Sequence, residues 1–103
     1  MVELVKVASV NEIPSGTAKI VEVLGDHIAI FNVNGKFYAL NNTCLHRGGP
    51  LGEGFVNDGE LTVECPWHGW VYSLESGETA FNPGAKVRTY QVKVQGADLF
   101  LEL

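Results

Sequence analysis

Cys44-Leu45-His46 and Cys65-Pro66-Trp67-His68 constrain this chain more than any other feature. They use both cysteines and two of the three histidines, as two Cys/His pairs separated by residues 47–64. Thiolate and imidazole are soft and borderline donors, suited to zinc, copper or iron–sulfur centres rather than to calcium or magnesium. A disulfide is the other use for two cysteines, but a histidine two or three residues after each favours metal ligation. Whatever the fold, it must bring two separate loops to one site.

The punctuation between and around the pairs is that of an all-β chain: short β-prone runs divided by turn residues. Strands are expected over 2–8, 17–24, 27–33, 36–40, 61–64, 70–74, 87–94 and 99–103. Residues 11–16, with Pro14 and Gly16, read as a turn, and Gly25-Asp26 as the link of a hairpin. Asn34-Gly35 is the strongest hairpin signal, because both residues tolerate the positive φ angles of a type I′ turn. Ser76-Gly77 and 96–98 are further turns, and no helix longer than one turn is expected. Residues 41–54 stand apart: glycine- and proline-rich, too long for a hairpin turn, and holding the first pair. Long ordered loops in compact domains are usually functional. A second loop covers 65–69, and Asn82-Pro83-Gly84 forms a third nearby.

Size and charge narrow the function. A chain of 103 residues with 46% hydrophobic and 18% charged residues is expected to form one folded domain, over 1–103. The net charge is −5 with only seven basic residues, a poor surface for nucleic acid, which requires clustered Lys and Arg. No run approaches the length of a membrane helix, and Met1 to Lys6 carries charge where a signal peptide needs its apolar stretch. A cytoplasmic protein without a membrane partner is expected.

Spacing alone leaves structural zinc open, since Cys2His2 zinc sites also use two short pairs. A zinc-stabilised interaction module is therefore the bland alternative. Against it stand His46-Arg47-Gly48-Gly49-Pro50-Leu51 after the first pair, Pro66 and Gly69 about the second, and the β context. With these, C-x-H and C-x-x-H resemble the cluster motif of the Rieske family, over essentially the whole chain. The resemblance implies a Rieske-like antiparallel β sandwich with a small cluster-binding subdomain at one end, its loops within about 41–84. It also implies one [2Fe–2S] cluster, with Cys44 and Cys65 on the inner iron and His46 and His68 on the outer one. Gly48, Gly49 and Gly69 lack Cβ atoms, so their N–H groups are expected to reach the sulfides. His27 is assigned no metal role and reads as a surface histidine away from both loops.

Within the family, Gly49 and Trp67 occupy the places of the extra cysteines that form a disulfide in the respiratory type. Trp70 stands where that type has a serine, whereas Tyr72 matches a tyrosine that bonds a ligand cysteine there. The potential is expected near the low end of about −150 to +300 mV. The second segment is also similar to that of ring-hydroxylating oxygenases, but only His27 remains for their mononuclear iron. The resemblance thus implies a soluble one-electron carrier, not itself an enzyme. It would take electrons from a flavin-dependent reductase and pass them to a terminal oxygenase. A Rieske subunit of another reductase system is the alternative. Leu45, Arg47, Pro50 and Trp67 are expected to surround the histidines as a transient docking patch. The spacer is slightly longer than usual, which the Asn57-Asp58-Gly59 turn is expected to absorb.

Overall fold

The computed structural model describes residues 3–43, 50–67, 69–79 and 86–102. Its strands are β1 (Leu4–Ser9), β2 (Ala18–Val23), β3 (Asp26–Val33), β4 (Lys36–Asn41), β5 (Phe55–Asn57), β6 (Thr62–Glu64), β7 (Val71–Ser73), β8 (Thr89–Gln95) and β9 (Asp98–Glu102). One antiparallel sheet runs β1-β9-β8-β4-β3-β2, and a smaller one runs β5-β6-β7. Two single-turn 3-10 helices, Val10–Glu12 and Leu51–Glu53, are the only helices among the described residues. The expected all-β class holds.

β3 organises the interior, because it is buried on both faces. Side chains alternate along a strand, so Ile28 and Ile30 point one way and Ala29, Phe31 and Val33 the other. The first set packs with Ala8 of β1, Ala39 of β4, Tyr90 of β8, and Leu99 and Leu101 of β9. Val7 of β1 and Val21 and Val23 of β2 adjoin the same core, so the two edges of the six-stranded sheet fold towards each other. The second set packs with Leu40, Leu51, Val63, Cys65, Tyr72 and Leu74, beneath the three-stranded sheet. Asn32 is the one polar residue among the buried positions of β3. Its amide donates to the Ile13 carbonyl at 2.7 Å, and its oxygen accepts from the Gly35 N–H at 2.9 Å.

The turns explain the register. Asn34 and Gly35 take φ of 52° and 90°, the expected type I′ link, and Val33 pairs with Lys36. The β2–β3 turn is one residue earlier than expected. Leu24 and Gly25, at φ 51° and 86°, form it, and Asp26 opens β3 opposite Val23. A type I′ turn needs positive φ at both central residues, and placing glycine second leaves Leu24 to take the other.

β5 was not expected from the sequence. It pairs with β6, and the Asn57-Asp58-Gly59 stretch closes their hairpin: the Asn57 side-chain oxygen accepts from the N–H groups of Gly59 and Glu60, both at 3.1 Å. The predicted turn is present, as the link of a hairpin. The two ends of the expected 41–54 loop, residues 41–43 and 50–54, are likewise more structured than a loop. β4 continues through Asn41, Thr43 bridges to Pro50, and 51–53 form a helical turn with Leu51 buried.

Candidate metal centre

Of the four expected ligands, Cys65 lies among the described residues; Cys44, His46 and His68 lie outside them, as do Leu45, Arg47, Gly48, Gly49 and the 82–84 turn. What the structure does describe are the stems on which those residues are carried.

The first stem is built by Asn42. Its carbonyl accepts from Leu51 N–H at 2.8 Å, and its side-chain oxygen accepts from Gly52 N–H at 2.7 Å. With the Thr43–Pro50 bridge, these bonds join the chain on either side of residues 44–49. Asn42 N–H in turn donates to the His27 carbonyl at 2.8 Å. His27 is therefore not remote from the first loop, as the sequence suggested; its backbone supports the stem. Its ring is exposed and lies 3.3 Å from the Glu22 carboxylate.

The second stem is the end of the β6–β7 hairpin. Beyond the Glu64–Val71 pair, Cys65 N–H donates to the Trp70 carbonyl at 2.7 Å. Gly69 N–H donates to the Cys65 carbonyl at 3.0 Å, with Gly69 at φ 75°. That bond corrects one expectation: the Gly69 N–H serves the turn, so this glycine is needed for its left-handed φ rather than as a donor to a sulfide. Cys65 itself is 1% exposed, packed with Leu51, Val63 and Tyr72 and flanked by Trp70. Tyr72, which the resemblance matches to a tyrosine bonding a ligand cysteine, is fully buried in this same core.

A third stem adjoins them. The chain turns back after β7, so that Thr79 bridges to Tyr72 and Glu78 to Lys86 on either side of residues 80–85. Of the expected docking residues, Trp67 is 57% exposed and Pro50 is half-buried in the first stem.

The arrangement is specific. A thiol is sunk in an apolar core at the foot of one loop, and the foot of another loop is packed against it through Leu51. A family profile described as the Rieske [2Fe-2S] domain matches residues 3–91. The chain belongs to the Rieske family. A curated relative, the 3-phenylpropionate/cinnamic acid dioxygenase ferredoxin subunit of Escherichia coli K12, is 38% identical over 95 residues, covering 91% of this chain and 88% of the relative. Among solved structures, the chain is similar to the ferredoxin of carbazole 1,9a-dioxygenase from Nocardioides aromaticivorans IC177. That match has a TM-score of 0.88 at 27% identity over 95% of both chains. It is also similar to a chain in the complex of reduced oxygenase and oxidized ferredoxin in carbazole 1,9a-dioxygenase, with a TM-score of 0.85 at 27% identity over 95% of this chain and 91% of that one.

The cofactor of this Rieske domain is one [2Fe–2S] cluster, and the structural-zinc alternative falls. The donor set fits it: two thiols and two imidazoles are the ligands of such a centre, one kind to each iron. The dry surroundings of Cys65 suit the inner iron, since the hydrophobic shell about a metal site controls solvent access and dielectric. No helix among the described residues is long and apolar enough to cross a membrane.

Proposed function

We propose that this chain is the one-electron carrier of a multicomponent dioxygenase, taking electrons from a flavin-dependent reductase and delivering them to a terminal oxygenase. The observation that carries this reading is the 38% identity to a dioxygenase ferredoxin subunit, extending over most of both chains. In this reading Cys44 and Cys65 ligate the inner iron, and His46 and His68 the outer one. The bound cluster supplies reversible one-electron chemistry. The chain's own residues hold and shield it: Cys65 from the buried end, with Leu51, Tyr72 and Trp70 excluding water on that side. Leu45, Arg47, Pro50 and Trp67 surround the exposed end as a contact for both partners. Exposed Trp67 supports that role, as aromatic residues are enriched at interfaces. Chemistry on the organic substrate belongs to the oxygenase, and the carrier works in the cytoplasm.

The test is an EPR spectrum of the dithionite-reduced protein, together with iron and acid-labile sulfide analysis. A mixed Cys/His [2Fe–2S] signal with about two irons and two sulfides per chain is expected. Cys65→Ser, His46→Ala and His68→Ala should each abolish it. A silent, colourless protein would overturn the reading.

A further inference from the structure

The net charge of this chain is confined to one part of it. Residues 48–85 contain six carboxylates, those of Glu53, Asp58, Glu60, Glu64, Glu75 and Glu78, and no lysine or arginine. That segment carries −6, and the remainder, with six carboxylates against seven basic residues, carries +1. The excess negative charge therefore belongs to the stretch that builds β5, β6 and β7.

Three of these carboxylates share a surface. The outer face of the small sheet forms a shallow hollow of about 550 Å³, lined in part by Phe55, Asp58, Glu60, Glu64 and Val71. Phe55, Glu64 and Val71 are cross-strand neighbours in one row. Phe55 is 68% exposed. A second hollow of about 250 Å³ shares Thr62 and Val71 and adds Glu78. On the larger sheet and its adjoining turn, Lys6–Asp98, Lys19–Glu12 and Lys93–Glu102 are paired. Among the described residues, no ion pair involves Asp58, Glu60, Glu64 or Glu78.

We infer that this face is a docking surface for a basic redox partner, one that presents lysines or arginines around an apolar recess receiving Phe55. The inference rests on the electron-carrier reading and adds a flank to the loop-tip contact. An exposed aromatic ringed by like charges is poorly suited to a second copy of the same chain, because identical acidic faces repel. Nucleic acid is excluded on the same ground. A basic protein is attracted, oriented and then held by burial of the ring. The location suits transfer: Glu64 precedes Cys65 and Val71 follows Trp70, so a partner seated here abuts the stem of the second ligand loop.

The test uses the cluster-loaded protein, reduced and mixed by stopped flow with ferricytochrome c, a basic protein whose lysines encircle an apolar haem edge. Salt is raised from about 10 mM to about 500 mM, which shortens the screening length several-fold. Wild type should slow by about tenfold or more. Asp58→Asn/Glu60→Gln should be slower at low salt and nearly flat across the series, with its visible spectrum unchanged. Phe55→Ser should be slower at every salt concentration. If both variants track wild type while Trp67→Ala alone slows transfer, docking is confined to the loop tip; the inference falls and the carrier reading stands. If wild type passes no electron at all, the carrier reading and the inference fall together.

Discussion

Gly54 lies so close to Glu64 that a Cβ on the glycine would overlap the glutamate's carbonyl oxygen, with the Val63 side chain at 3.0 Å and the Leu51 carbonyl at 3.1 Å. The chain leaving the first ligand stem is thereby pressed onto the strand entering the second. Backbone is the obstacle here, and backbone does not swing aside as a flexible side chain would.

Gly54→Ala should therefore separate the stems. Overpacking of this kind costs about 1–3 kcal/mol, and the displacement reaches Cys65 through its neighbour Glu64. Lower thermal stability and reduced iron content per chain are expected. Gly59→Ala is the control, since its Cβ meets nothing nearer than the Asn57 side-chain oxygen at 3.5 Å. Equal iron content in the two variants would show that the close approach is not needed for cluster retention.

Tyr90 presents the opposite case, an atom the core does not need. The residue is 8% exposed and its ring lies beneath the Arg88 guanidinium at 4.9 Å, but its hydroxyl is buried with no hydrogen-bond partner among the described residues. An unsatisfied buried polar group costs about 1–3 kcal/mol. Tyr90→Phe keeps the ring and removes the hydroxyl, so the urea midpoint should hold or rise. A clear fall would reveal a bond that the hydroxyl makes.

Leu24 is 88% exposed and sits at φ 51°. Left-handed backbone costs a residue with a side chain about 1–2 kcal/mol, and asparagine tolerates it best after glycine. Leu24→Asn should stabilise the β2–β3 hairpin by about 1 kcal/mol. Differential scanning calorimetry should show a higher Tm at unchanged reduction potential; an unchanged Tm would mean that the turn carries no strain.

Glu12 supplies a pH dependence. Its carboxylate accepts from Lys19 Nζ at 2.7 Å and from Ser9 N–H at 2.6 Å, and these contacts, Lys19 first, hold its pKa below the ordinary 4.5. The ionised form is favoured by folding. Its stabilisation is complete above pH 4.5 and disappears as the pH falls through the lowered value. Glu12→Gln should melt below wild type at pH 7, and the two curves should converge in acid. A gap of constant size at every pH would assign the difference to packing.

Much of this was legible in the residues. The eight expected strands are present within two residues of their predicted ends, and Asn34-Gly35 makes the turn its chemistry demands. β5 was hidden because Phe55-Val56-Asn57 is too short to show a period and follows a glycine-rich stretch; it exists because β6 offers it a partner. The shift from Gly25-Asp26 to Leu24-Gly25 was hidden because an exposed leucine is not a turn signal. The family was legible because few residue types bind soft metals, and two Cys/His pairs with glycine and proline about them are a rare combination. The commitment of Gly69 N–H to Cys65 was not, because the choice of acceptor depends on how the hairpin closes. Nor was Tyr72's full burial, which needs Thr79 brought alongside from the far side of a turn.

The two-faced burial of β3 has a thermodynamic consequence. Exposing the amides of Ile28 to Val33 to solvent requires breaching both interiors at once, so these protons should be the slowest to exchange with deuterium. Global opening should be their only route, and losing iron at the far end should accelerate them through Ala29 and Phe31. The strand is thus a party wall through which the redox end and the scaffold share one fate.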